Sequence, residues 1–295
     1  MTQRISARTI AVSTLIAALV LLNAYQYFSA ESPGPTKPEP RQSAKKAAPY
    51  ELPPPPTQED QRVIDRFHQL AYDQQFRFMK TRGNFQVETP EYKPSRWLGV
   101  ITQQNPSDFW INQEIITELK PDFIVETGTL MGGGALLWAT ILAQVNPEGR
   151  VITIDIQDLV RDAKEHPLWK AKVEQVVKSS TDPEIVAKIK ERVEGKTVIF
   201  ILDSDHSKDH VLAELKAYAP MVGVGSYVLV QDSNINGHPV YGAFGPGPYE
   251  AVAEFLLENP DFQVDHTREK FKLTFNPRGY LKRVNTPRPD DGPKV

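Results

Sequence analysis

Two stretches of the chain carry the residues best suited to chemistry. Asp203-Ser-Asp-His206 follows one apolar run, and Gln231-Asp232-Ser-Asn234 follows the next. The carboxylates of Asp203 and Asp232, with the amide oxygen of Gln231, form a hard-oxygen set. Such a set suits Mg²⁺, which keeps several waters in its shell. The competing role for both aspartates is to cap a turn or a helix. His206, three residues past Asp203, offers a side-chain base for the same place, with a purely structural histidine as the alternative. A third stretch, Phe123-Ile-Val-Glu-Thr-Gly-Thr-Leu-Met-Gly-Gly-Gly-Ala135, joins an apolar run to three consecutive glycines. Gly128 permits a sharp turn, Gly132 to Gly134 let a backbone pass close to a ligand, and a helix starts at Ala135. Free N–H groups and the positive end of the helix dipole then face the same point, which makes a cofactor cradle.

A second acidic strand end, Arg150-Val-Ile-Thr-Ile-Asp155, lies about twenty residues past the glycines. An acid at that spacing accepts hydrogen bonds from a ribose diol, in NAD enzymes and S-adenosylmethionine (SAM) enzymes alike. The first loop separates the two cofactors. A dinucleotide fold uses G-x-G-x-x-G to seat a pyrophosphate, whereas this chain has Glu126-Thr127-Gly128 and then the triple glycine. A carboxylate two residues before the first glycine repels a pyrophosphate and suits the ammonium and sulfonium of SAM. The reading is SAM before NAD.

The elements that must position these groups alternate in type. Phe123–Val125, Arg150–Asp155, Glu174–Val177, Thr197–Leu202 and Ser226–Val230 read as buried strands, with helices between them. Short connections then predict a parallel, doubly wound, Rossmann-like α/β sheet, with ligands at the carboxyl ends of its strands. Ser180 and Asp182 follow the third strand and can cap a helix or touch the adenine. Trp97 and Gln104 belong to an entry loop or to a pocket wall.

Ahead of this domain, Ile10–Phe28 is an uncharged, mostly apolar stretch of about nineteen residues, long enough to span a bilayer as a single transmembrane helix. A cleaved signal peptide is the competing reading, but cutting after Ala30 or Ala24 would put Phe28 or Leu22 where a small residue is needed. The expected organisation is a membrane anchor over 1–30, a proline-rich linker over 31–59, a folded domain over 60–283 and a flexible tail over 284–295. Flanking charges are nearly balanced, and the cytosolic origin of SAM favours a domain facing the cytoplasm. Thr57-Gln-Glu-Asp60 reads as a capping box for a helix with Val63, Ile64, Phe67, Leu70 and Ala71 on one face.

The net charge of −3 and a pI near 6.1, with no basic stripe, argue against nucleic acid as a partner. The chain has no cysteine, which removes disulfides, thiolate nucleophiles and Cys-based zinc sites.

At this level the residues resemble the cephalosporin hydroxylase (CmcI-type) and rhamnosyl O-methyltransferase family. The likeness runs through Trp97-Leu-Gly, Gln104-x-Pro-x-Asp108, Pro121-Asp-x-Ile-Val-Glu-Thr-Gly128, Phe200-Ile-Leu-Asp-Ser-Asp-His206, Tyr227–Asp232, Gly247–Phe255 and Lys272–Tyr280. It covers roughly 60–283. The resemblance implies a class I SAM-dependent O-methyltransferase that uses a divalent metal. Glu126, Gly128 and Asp155 would bind SAM, with Thr127, Gly132 and Ser180 in the same set and Asp203 at its border. Asp203 and the residues at 231 and 232 would hold Mg²⁺, and His206 would act as general base. The family pattern places Glu-Asp where this chain has Gln231-Asp232, so the metal site lacks one negative charge. The implied acceptor is a hydroxyl, on a sugar of a glycolipid, polysaccharide or secondary metabolite, and a homo-oligomer is compatible. The residues from Asn234 to Tyr249 are placed to form a lid over it or a plain surface loop. The rivals are a membrane-tethered binding protein of the same fold, an Fe(II) oxygenase and a NAD-dependent sugar-modifying enzyme. The oxygenase would need a 2-His-1-carboxylate set, and no His here begins a His-x-Asp or His-x-Glu pair.

Overall fold

A computed structural model describes residues 56–82 and 94–284, all within one compact unit, Leu52–Val295. The predicted anchor, most of the linker and nearly all of the predicted tail lie outside the described residues. Among those described, no helix is long and apolar enough to cross a membrane.

Helix α1 (Gln58–Arg82) opens at a capping box. The Thr57 hydroxyl accepts the Asp60 N–H at 3.2 Å, and the Asp60 carboxylate accepts the Thr57 N–H at 3.1 Å. The predicted apolar face divides: Ile64 and Ala71 are partly buried, while its other members turn outward. Val63, Phe67 and Leu70 are 65%, 49% and 52% exposed. The docking side instead carries His68 and Tyr72, edge-on to Phe275 at 6.2 Å and tilted against Tyr241 at 5.8 Å. Two large rings meeting aromatic partners on the domain set the orientation of this helix.

A short antiparallel pair, β1 (Arg96–Trp97) and β2 (Val100–Ile101), leads to α2 (Pro106–Leu119). Asn105 caps α2 by accepting the Ser107 N–H at 3.1 Å, Pro106 presets its first turn, and Lys120 ends it in the left-handed region. Then come β3 (Phe123–Thr127), α3 (Gly133–Val145), β4 (Arg150–Asp155), the short α4 (Asp162–Glu165) and α5 (Pro167–Lys172), and β5 (Val173–Val177). The second half comprises α6 (Pro183–Val193), β6 (Val198–Leu202), α7 (Lys208–Tyr218), β7 (Tyr227–Val230), α8 (Pro248–Glu258), β8 (Phe262–Val264) and β9 (Tyr280–Arg283).

The strands lie in the order β5-β4-β3-β6-β7-β9-β8. The first five are parallel, as the alternation of strand and helix predicts. The last two run antiparallel, so the sheet is mixed and not purely parallel. A β8–β9 return through residues 265–279 carries no crossover helix, which leaves only the antiparallel solution. Chain order reverses between β3 and β6, the switch point where such sheets bind ligands. Register sets Thr127 opposite Leu202 and Leu202 opposite Val230. Gly128, Asp203 and Gln231 therefore leave the sheet at one level. One core layer packs Val125, Phe200 and Val228 under α6, α7 and α8, and the other packs Ile124, Ile201 and Leu229 under α2 and α3.

Candidate active site

The turn after β3 is built on close backbone approach. Gly128, at φ +88°, lies so near the strand end of β6 that any Cβ would collide with the Asp203 carbonyl oxygen. Helix α3 then starts at Gly132 with no side-chain cap, so its first-turn N–H groups are available to a ligand. Glu126 lies beneath this helix start. It is 2% exposed, with Oε1 accepting the Trp138 Nε1–H at 2.7 Å and Oε2 accepting the Thr153 hydroxyl at 2.6 Å. Burial, offset in part by these two bonds, lifts its carboxyl to about 7. The Gly134 position has no room for a Cβ because Glu126 fills it.

Asp155 ends β4 and accepts the Leu130 N–H at 3.0 Å and the Gln157 N–H at 2.9 Å. It thereby fixes the glycine loop from the neighbouring strand. Thr127 is fully buried, and its carbonyl accepts the Asp203 N–H at 3.0 Å. Ser180 sits in the loop after β5, its hydroxyl 3.2 Å from His210 Nε2 and its carbonyl accepting the Tyr218 hydroxyl at 2.5 Å. Glu214, one turn along α7, is fully buried and accepts the Ser204 hydroxyl at 2.8 Å. His210, Glu214 and Tyr218 thus tie the loops after β5 and β6 to one helix. Asp182 takes the capping role, accepting the Glu184 and Ile185 N–H groups.

Asp203, His206 and Asp232 come together at the end of β6 and β7, with one ligand atom from each all within 4.8 Å. His206 Nε2 is 3.9 Å from Asp203 Oδ1 and 3.5 Å from Asp232 Oδ2, too far for hydrogen bonds. The three groups ring a space and do not bond one another. Burial, and then the Asp232 charge, push Asp203 well above the ordinary carboxylate range; burial raises Asp232 as well. Two carboxylates held against each other in this way call for a cation or a proton between them. Gln104 Nε2 donates to Asp203 Oδ2 at 3.0 Å, which places Gln104 at the site, while its buried Oε1 has no partner among the described residues. Trp97, by contrast, bonds Thr140 at 3.0 Å and packs on Phe109, away from the site. Gln231 is 5% exposed and its Nε2 has no partner among the described residues. Orphaned amides around facing carboxylates fit an ion with its waters.

Asp232 adopts φ +54°, and its N–H is accepted by Asn276 Oδ1 at 2.9 Å. Asn276 belongs to a segment held by Asp108 of α2. Asp108 accepts the Thr274 hydroxyl, the Phe275 N–H at 2.8 Å and the Tyr280 hydroxyl at 2.8 Å, and burial lifts its carboxyl to about 6. Sequence reasoning placed Asp108 only in a motif and did not see this support.

Residues 91–284 match the family described as rhamnosyl O-methyltransferase/CmcI. The chain belongs to this family. The rhamnosyl O-methyltransferase of Mycobacterium tuberculosis is 43% identical over 194 residues, 63% of this chain and 77% of that protein. The Mycobacterium leprae rhamnosyl O-methyltransferase is 38% identical over 228 residues, 75% of this chain and 90% of that protein. Among solved structures, CmcI with Mg and SAM aligns with a TM-score of 0.51 at 19% identity, over 68% of this chain and 82% of the other. An apo form of CmcI gives the same TM-score at 20% identity, with the same coverage. The CmcI likeness establishes the fold: an α/β methyltransferase fold with a central, mostly parallel sheet. The chain is an O-methyltransferase of the SAM-dependent class.

Proposed function

We propose that this family member methylates a sugar hydroxyl, on a glycolipid, polysaccharide or secondary metabolite, with the help of a divalent cation such as Mg²⁺. The observation that carries the reading is the ring of Asp203, His206 and Asp232 at the strand ends beside the glycine turn. The names of the mycobacterial relatives support a sugar acceptor.

SAM brings an electrophilic methyl group, and a divalent cation lowers the pKa of a hydroxyl bound to it. Within this chain, Asp203 and Asp232 would hold the cation, Gln231 would offer an uncharged amide oxygen, and Gln104 fixes the Asp203 carboxylate. His206 Nε2 would take the acceptor proton as the oxygen bonds the methyl carbon and the methyl–sulfur bond breaks, releasing S-adenosylhomocysteine. The α3 N-terminus and Asp155 orient the cofactor, and Glu126 fixes the floor under it. Holding both reactants at one sheet edge supplies proximity and alignment.

Calorimetric titration with SAM, with and without Mg²⁺, followed by incubation with a methyl rhamnoside and mass analysis, tests the reading. It expects SAM binding and a product 14 mass units (one CH₂) heavier than the acceptor. SAM binding without any transfer to a glycoside would overturn it. Gln231 favours one second reading, a membrane-tethered SAM- or glycan-binding protein with weakened catalysis, and the same experiment separates the two. We further propose that residues 1–30 anchor the domain to a membrane with its face to the cytoplasm. The apolar run Ile10–Phe28 supports this, and digestion of the domain from the outer face of intact cells would refute it.

A further inference from the structure

Residues 234–247, between β7 and α8, are pinned down along most of their length. Val240 N–H donates to the Asn234 carbonyl at 3.0 Å, and Gly237 N–H to the Val240 carbonyl at 2.7 Å. Glu250 of α8 is held 2.8 Å from His238 Nε2 and accepts the Asn236 side-chain N–H at 3.0 Å, while the His238 ring stacks on Tyr249 at 3.7 Å. The segment is clamped over the loop that bears His206. Lys208 N–H donates to the Pro246 carbonyl at 3.1 Å, and Gly247 packs against the His206 carbonyl and Ile235.

A loop held so firmly nevertheless leaves two aromatic rings in the open. Tyr241 and Phe244 are 37% and 38% exposed, with centroids 5.6 Å apart in an edge-to-face arrangement. Tyr241 stands at φ +49°, a conformation an aromatic residue adopts only when its surroundings impose it. Behind it, Tyr72 from α1 backs the ring at 5.8 Å and packs on Ile235 and Val240. Ile235 N–H donates to the Asp232 carbonyl at 3.3 Å, which ties this aromatic group to the turn that bears Asp232. At the foot of the loop, Asn234 is 1% exposed, and both polar atoms of its side chain lack a partner among the described residues.

We propose that Tyr241 and Phe244, backed by Tyr72, form a subsite that stacks on the apolar face of a neutral pyranose acceptor, while the Asn234 amide bonds one of its hydroxyls. The proposal rests on the sugar O-methyltransferase reading above and names the residues that choose the acceptor. A pyranose ring presents C–H groups on one face and hydroxyls around its rim, which matches open aromatic rings beside a neutral amide. Tyr241, Phe244 and the Asn234 amide offer no positive charge to an anionic group, so the acceptor class is an uncharged glycoside and not a uronate or a sugar phosphate.

The test uses the full chain, loaded with S-adenosylhomocysteine for saturation-transfer NMR and supplied with SAM for kinetics, with methyl rhamnoside as probe and glucuronate as control. Binding of the rhamnoside but not of glucuronate is expected. The double variant Tyr241→Ala/Phe244→Ala is expected to raise KM for the rhamnoside at least tenfold, with S-adenosylhomocysteine affinity unchanged and Tyr241→Phe retaining wild-type KM. Equal binding of glucuronate, no binding of the rhamnoside, or a KM within twofold in the double variant would each overturn the subsite. Loss of S-adenosylhomocysteine binding in the unmodified chain would instead count against the methyltransferase reading itself.

Discussion

Replacing Glu126 with glutamine isolates the electrostatic burden under the cofactor cradle. Its carboxyl is lifted by burial from the ordinary 4.5 to about 7, while the bonds from Thr153 and Trp138 pull the other way. An acid whose folded pKa is raised holds its proton more tightly folded than unfolded. Its contribution therefore favours the folded state at low pH and is lost as pH climbs from 4.5 through about 7. That interval, at about 1.4 kcal/mol per pH unit, corresponds to about 3 kcal/mol lost above neutrality. Glutamine does not titrate, yet its oxygen still accepts the Trp138 N–H and its NH₂ group donates to Thr153, whose hydroxyl can turn to Thr129 at 2.7 Å. Melting temperatures of Glu126→Gln and the unmodified chain, both without cofactor, should diverge between about pH 5 and about pH 8.5. With roughly 2–4 °C per kcal/mol for a domain of this size, the difference should move by about 6–12 °C in favour of glutamine. Using the change in the difference cancels any packing effect of the substitution. A difference that stays flat across that range would show that Glu126 is not strained in the folded state, and the reasoning would fail.

The remaining predictions address the reacting groups. Asp203→Asn should abolish divalent-ion binding by calorimetry while SAM still binds, since the cradle is built on β3 and α3. Gln231→Glu should tighten Mg²⁺ at least tenfold, because an added charge a few ångströms from a divalent ion contributes on the order of a few kcal/mol even at high effective dielectric; unchanged affinity would remove position 231 from the ligand set. His206→Ala should lower kcat by about 10²- to 10⁴-fold with SAM affinity intact, and a smaller loss would move the base elsewhere. Asp155→Ala should weaken SAM by about 1.5–3 kcal/mol, read by the same titration.

Much of this site was legible before any coordinates. The apolar runs before Glu126, Asp155, Asp203 and Gln231 each end at the same edge, because parallel strands of similar length in a doubly wound sheet must do so. That argument alone brings Asp203, His206 and Asp232 to one place. What the sequence hid is the support beneath them. Asp108 holds Thr274, Phe275 and Tyr280 across more than 160 positions, and no local pattern reports a contact at that separation. Glu214 reads as one more charge on a helix, and only the fold shows it fully buried beneath Ser204. The capping box of α1 was visible, yet which side of that helix would dock was not. Aliphatic periodicity points to Val63, Phe67 and Leu70, whereas the partners that decide the matter, Phe275 and Tyr241, are about 170–210 residues downstream.

The family match begins at residue 91, after α1, yet Tyr72 of that helix meets Tyr241 of the loop between β7 and α8 at 5.8 Å. The residues proposed to hold cofactor and cation all lie within 91–284, while one aromatic wall comes from ahead of that span. A substitution on α1 would then change that wall and leave the residues proposed for cofactor and cation untouched.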